Sequence, residues 1–275
     1  MQPIIVIYHG GCPDGFASAL AAKQFFKHRD IQFYAAQHGK KPPDCHDKEV
    51  YILDFSYHRE VIIELASIAK QITIIDHHIS AQNDLLGIEE QIDNIEVIFD
   101  MSHSGAILSW QFFHQSPPPL LFKIIEDRDI WKFDFPQTND VMSAVVSHPM
   151  DFPLWESWLE NEDKLKELEH EGRILNRERD KQVKKYRKRM RLLEIGGYQV
   201  PVVNAPASIA SDLLQLLADG YPFAASYEDR DDRRVWQLRS AGEKQIDVSV
   251  VAQQFGGGGH KNASGFSTPL PEIEF

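Results

Sequence analysis

Residues Gln71–Ser80 read QITIIDHHIS, and their reading decides the fold. Ile72, Thr73, Ile74 and Ile75 form an unbroken run of strand-forming type, the pattern of a strand covered on both faces. The run ends on one carboxylate and two imidazoles, Asp76, His77 and His78. Two other apolar runs end in the same manner. IIVIY (Ile4–Tyr8) is followed by His9, and the strand-like Val50–Asp54 closes on Asp54. Helical patterns lie between them, over Phe16–His28 and Arg59–Ala69. Strand alternating with helix predicts a parallel sheet covered by helices on both faces. In such sheets ligands bind beyond the carboxyl ends of the strands. One Asp at such a place is commonly a helix cap, but three strand ends delivering His and Asp predict a shared site.

Further along, Ser104–His114 reads as a helix, and a second helical run, Leu120–Glu126, leads into EDRDIW. From Pro153 to about Ile195 the chain turns into a charged helical stretch. Its acidic half (Glu156–Glu171) precedes a basic half (Lys181–Arg191), an order that suits the helix dipole. A second α/β pattern follows. Val200–Val203, Phe223–Tyr227 and Val235–Arg239 read as strands, Ala207–Ala218 and Val248–Phe255 as helices, and FGGGGHKNASGF comes next. The fold class is therefore α/β. We expect a parallel-sheet N-terminal domain over residues 1–155, a charged helical connector over 156–195 and a smaller C-terminal domain over 196–275.

At 275 residues and 43% hydrophobic, the chain can bury one large core or two moderate ones. A formal charge of -12 argues against a broad basic face for duplex DNA. Two cysteines, Cys12 and Cys45, fit a reducing compartment better than a disulfide framework. MQPIIVIYHG carries no basic leader, and no apolar run reaches about 20 residues. A soluble, cytoplasmic protein is expected, and homodimerisation is left open. The tryptophans read as packing residues, with Trp131 close behind the acids of EDRD.

His and Asp together suit a divalent metal such as Mn²⁺, Zn²⁺ or Fe²⁺. Successive side chains leaving a strand alternate in direction, so only one or two of Asp76, His77 and His78 can ligate. The others would orient a ligand or touch substrate.

IYHGGCPDGFASA, YILDFS, IIDHHIS, IIEDRDIW and FGGGGHKNASGF occur in that order, from His9 to Phe266. Together they resemble the DHH phosphoesterase superfamily with its DHH-associated C-terminal domain. That group includes RecJ-type exonucleases, nanoRNases and dinucleotide phosphodiesterases. The resemblance implies a divalent-metal site, usually manganese, of one or two ions. Its ligands would be His9, Asp14, Asp54, His77 and Asp127, with Asp129 as the alternative to Asp127, and Asp54 would bridge the two ions. Asp76 and His78 would complete the catalytic residues, Asp76 by orienting and His78 near the phosphate. Gly257, Gly258, Gly259 and His260 resemble the family's substrate loop, with Arg239 and Ser240 as further contacts. The remaining histidines are given no role, with a supporting place beside the site weighed for His103 alone.

The sequence departs from the family in HGGCPDG, which holds one aspartate where two are usual. Gly11 or Pro13 stands where another acid is expected. Cys12 would replace it, or a water would, or only one ion binds tightly. The implied activity is metal-dependent hydrolysis of a phosphodiester or phosphomonoester. The substrate would be small and nucleotidic, such as a dinucleotide, a short single-stranded oligonucleotide or phosphoadenosine phosphate. Two other readings stand beside it: an inorganic pyrophosphatase or polyphosphatase of the same superfamily, and a non-catalytic nucleotide sensor.

Overall fold

The computed structural model describes residues 3–27, 29–160, 162–241 and 245–270, so the expected helix end at His28 lies outside the described residues. The chain divides into two compact units, Met1–Leu175 and Asn176–Phe275.

The first unit is built on five parallel strands, β1 (Ile4–His9), β2 (Ile31–Ala36), β3 (Glu49–Leu53), β4 (Gln71–Asp76) and β5 (Ile95–Phe99). Their order is β2-β1-β3-β4-β5. The chain steps one way from β1 to β2 and the other way to β3, so the crevice for a ligand opens between the ends of β1 and β3. β2 and β5 are not legible as strands in the sequence. They form the two edges of the sheet and are only partly buried, so neither carries the apolar run that marks β1 and β4.

Alternation along β1 divides the core in two. Ile4 and Val6 pack into a cluster with α1 (Pro13–Phe26), α4 (Gly105–Phe113) and α5 (Leu120–Asp129). Ile5 and Ile7 pack on the other face with Ile62 and Leu65 of α2 (Arg59–Ala66). Helix α1 is buried without interruption from Asp14 to Ala22, as its small, apolar residues allow. A short helix, α3 (Ile79–Asp84), follows β4, and α6 (Thr138–Ser147) and α7 (Phe152–Leu159) complete the helical layer. Trp155 and Trp158 of α7 are buried in the first cluster, so the start of the expected connector is part of this core.

The boundary between the units falls within α8 (Glu162–Arg187). Glu162 and Asp163 open that helix, and Lys184, Lys185 and Arg187 close it, as the helix dipole favours. The helix does not run on to Ile195. Arg191–Ile195 is a strand, β6, paired with β7 (Tyr198–Asn204) across the Gly196–Gly197 turn. The basic charge of this stretch masks the hairpin signal of a two-glycine loop between apolar runs.

The second unit holds a six-stranded sheet. Besides β6 and β7 it contains β8 (Ala224–Arg230), β9 (Arg233–Arg239), β10 (Gly258–His260) and β11 (Ala263–Pro269). β7 and β8 are parallel and joined through α9 (Ala207–Leu217), whereas the other pairings are antiparallel. Helix α9 covers one face, and α10 (Val248–Gln253) covers the other. Among the described residues no helix is long and apolar enough to cross a membrane.

Candidate metal centre

The carboxyl ends of β1, β3 and β4 bring His9, Asp54 and Asp76-His77-His78 together. Asp54 sits immediately past β3 with φ 54°, a left-handed conformation that aspartate tolerates better than most residues. Its carboxylate is 1% exposed, and neither oxygen has a hydrogen-bond partner. The Asp54 Oδ1 atom lies 3.2 Å from His77 Nε2, and Oδ2 lies 3.4 Å from His9 Nδ1. The two oxygens thus face two different imidazoles. Burial pushes the Asp54 carboxyl up, but the facing imidazoles outweigh it and hold it down to about 2.

Asp14, at the start of α1, is equally buried. Its oxygens accept from the backbone N–H groups of Gly105 (2.7 Å) and Ala106 (3.0 Å), so it caps α4. One of them, Oδ2, also lies 3.6 Å from His77 Nε2. Burial and the carboxylates of Asp54 and Asp129 push the Asp14 carboxyl well above its usual range.

Of Asp127 and its alternative Asp129, the structure brings Asp129 to the cluster. Asp127 does not join the cluster. Its buried carboxylate accepts from Asp134 N (2.7 Å), Phe135 N (3.2 Å) and Thr138 Oγ1, which occupies it in holding the following loop. Asp129, at the last position of α5, instead places Oδ2 3.5 Å from His77 Nε2. Two residues apart on a helix, the pair cannot face the same way.

Asp76 is fully buried and orients its neighbours. Its Oδ1 accepts from His77 N (2.7 Å) and lies 2.6 Å from Nδ1 of the exposed His78 side chain. The Asp76 hydrogen bond raises the His78 pKa against the effect of burial. His103 takes no part in the cluster itself. Its Nδ1 lies 3.0 Å from Glu126 Oε2, and Ser104 N donates to the same oxygen, so the pair braces the start of α4.

Among the described residues, three groups offer ligand atoms within 4.8 Å of one another. They are Asp54, Asp76, His77 and His78; His9, Cys12 and Asp54; and Asp14, His77 and Asp129. Nitrogen, oxygen and one sulfur donor fit a divalent transition metal. The orphaned oxygens of Asp54 and Asp76 supply the test, because buried carboxylate oxygens without donors are costly unless a cation satisfies them. Cys12 is one of three alternatives for the missing acid, and its thiol does stand beside His9 and Asp54. Burial and the Asp54 charge push that thiol up to about 11.

Two features of the site escape the sequence. Gly105 lies against Asp54, where any side chain would collide. His38, just past the unrecognised β2, packs its ring 5.6 Å from that of His9. Trp131, which the sequence suggests is a packing residue, is instead 63% exposed.

In the second unit, Arg239 ends β9 opposite Ala263, and Gly258–His260 pair with β11 as β10. Arg239 and Gly256 to Gly259 line a groove of about 650 Å³ with Trp236. Gly257 is pressed against the Gly265 carbonyl, which leaves no room for a Cβ. Here glycine serves close strand packing as well as an open groove. Ser240 is buried, and its backbone N–H donates to Asn262 O (3.2 Å), so it ties β9 to the turn beyond His260. His260 is exposed.

The chain is 31% identical to "Uncharacterized protein R106" of Acanthamoeba polyphaga mimivirus, across 97% of this chain and 68% of that protein. No family model matches it. Among solved structures, the pGpG-specific phosphodiesterase PggH from Vibrio cholerae superposes with a TM-score of 0.58 at 13% identity, over 98% of this chain and 94% of PggH. RecJ from Thermus thermophilus, in complex with Mn²⁺, gives 0.50 at 14% identity, over 97% of this chain and 49% of RecJ. At these identities the likeness to both is one of fold.

Proposed function

This chain belongs to the same family as protein R106 of Acanthamoeba polyphaga mimivirus, and from its fold and its cluster of ligands we propose that it is a metal-dependent phosphoesterase acting on small nucleotidic substrates. One observation carries the reading: the buried Asp54 carboxylate turns its two unpartnered oxygens toward His77 and His9. The fold shared with PggH and RecJ supports it.

On this reading one or two divalent ions would be held by Asp54 with His9 and Cys12, and by His77 with Asp14 and Asp129. Bound divalent ions would lower the pKa of a water and neutralise charge on the phosphoryl oxygens. The protein's own residues supply the rest. Asp76 accepts from the His78 Nδ1–H and, by raising the pKa of that ring, favours the imidazolium, whose Nε2–H can donate to a phosphoryl oxygen. Asp14 joins the cluster to α4, so the ligand geometry is tied to a buried helix.

Within the second unit, we propose Arg239, Ser240 and the Gly257–His260 loop as substrate-binding residues. The groove beside Gly256–Gly259 supports this, with Ser240 acting through the turn it anchors. The net charge of -12 supports a short substrate, since a long single strand needs an extended basic track.

The test is hydrolysis with Mn²⁺ of a panel holding linear and cyclic dinucleotides, phosphoadenosine phosphate, short oligonucleotides and pyrophosphate. Turnover of a nucleotide supports the proposal. Turnover of pyrophosphate alone, or tight nucleotide binding without turnover, replaces it with a pyrophosphatase or a sensor.

A further inference from the structure

The loop that follows Asp129 is built in an unusual way. Trp131 has φ 58° and Phe133 has φ 54°. Left-handed backbone is unfavourable for any side chain with a Cβ, and bulky residues are rarely found there. Two aromatic residues in three positions adopt it here.

Asp127 is what holds them. Its backbone carbonyl accepts from Lys132 N (3.0 Å) and Phe133 N (3.3 Å). Its carboxylate accepts from Asp134 N, Phe135 N and Thr138 Oγ1. A buried acid, unused by the metal cluster, is devoted to closing this loop.

The result is a pair of large rings held toward solvent. Trp131 is 63% exposed and Phe133 37%. Their rings meet edge to face at 5.5 Å. The Arg128 guanidinium lies 4.6 Å from the Trp131 ring centre and 5.5 Å from that of Phe133. Exposing an indole forfeits the apolar burial that normally retains tryptophan in a fold. Strain together with exposure therefore points to a ligand rather than to packing.

Position identifies the ligand. Asp129 Oδ2 is 3.5 Å from His77 Nε2, and Trp131 follows Asp129 by two residues, so their Cα atoms lie within about 7.6 Å. Aromatic rings with an arginine, one short step from a phosphoester site, match a flat, electron-rich heterocycle attached to the scissile phosphate. Base stacking on aromatic and guanidinium planes is the general means of holding unpaired nucleobases.

We propose that Trp131, Phe133 and Arg128 form a stacking platform for a nucleobase of the substrate, presented in register with the metal centre by the buried clamp Asp127. The proposal rests on the phosphoesterase reading and narrows it to substrates that carry a base beside the cleaved phosphate. Stacking accepts any base, so discrimination among the four bases is not the platform's task.

The test compares wild type, Trp131→Ala and Trp131→Phe on a linear dinucleotide and on its abasic analogue, with Mn²⁺. Trp131→Ala should raise KM for the dinucleotide by about 5- to 100-fold, as expected for one lost stack. Trp131→Phe should recover most of that loss. Toward the abasic analogue all three should be equal. An unchanged dinucleotide KM in Trp131→Ala, or an equal loss on both substrates, overturns the platform while leaving the phosphoesterase reading in place. If wild type turns over neither substrate, that reading fails separately. Tryptophan fluorescence then decides the platform, since a dinucleotide should quench wild type more than Trp131→Phe, which keeps Trp236 beside the Gly256–Gly259 groove. Equal quenching of the two, or none, overturns it.

Discussion

Gly105 lies so close to Asp54 that a Cβ at position 105 would stand 2.5 Å from the Asp54 Cβ. The first residue of α4 therefore shapes the acid that faces both His9 and His77. Gly105→Ala should push Asp54 aside, with a stability loss of about 1–3 kcal/mol, the usual result of overpacking. Mn²⁺ affinity should fall with it, read by calorimetric titration. An alanine variant with wild-type affinity would contradict this account of the contact.

Asp127 and Asp129 should separate cleanly under mutation. Asp129→Asn should weaken metal binding and leave the thermal midpoint nearly unchanged, because its carboxylate faces His77. Asp127→Ala removes an acceptor from Asp134 N, Phe135 N and Thr138 Oγ1 and should cost about 1–3 kcal/mol of stability. Its effect on metal stoichiometry should be small. The reverse pattern in melting curves and metal content would restore Asp127 as the ligand.

Cys12 makes a prediction about metal choice. A thiol beside His9 and Asp54 favours softer ions than an all-oxygen site would. Cobalt titration should give a near-ultraviolet sulfur-to-metal band, lost in Cys12→Ser while the visible cobalt bands persist. Visible bands without the sulfur band would leave Cys12 as a packing residue.

Acid should compete with the metal. The Asp54 contact and charge raise His9, and Asp54 raises His77 against the effect of burial, both from the ordinary 6.5. In the metal-free protein, the stability from these raised imidazoles is fully present below 6.5 and is lost as pH rises through their folded values. Metal binding needs both rings neutral, so its sign is opposite. The thermal shift caused by Mn²⁺ should grow from pH 6 to pH 8, with protons released on binding. A shift independent of pH would show that these imidazoles do not ligate.

Sequence reading succeeds where a residue closes a long apolar run. His9 closes β1, Asp54 follows β3 and His77 lies in the triplet that ends β4, so the apolar runs place all three at strand ends, while the choice of His77 within the triplet rests on the family resemblance. It fails where placement depends on geometry within a helix or on an edge strand. EDRD offers two acids two residues apart, and only the rotation of α5 decides which one faces His77. β2 is half-exposed and carries no uniform pattern, so His38 at its end gives no signal. The exposure of Trp131 is hidden as well, because nothing local announces a left-handed backbone at a tryptophan.

The central claim is that Asp54 organises a metal-dependent phosphoesterase site, and the most direct measurement is dinucleotide hydrolysis by wild type and Asp54→Ala with Mn²⁺ and after chelation. The account predicts turnover by wild type that chelation abolishes and Mn²⁺ restores. Asp54→Ala should fall by about 100-fold or more while keeping a cooperative melting transition. Near-wild-type turnover by a folded Asp54→Ala protein, or wild-type activity indifferent to chelation, would contradict it.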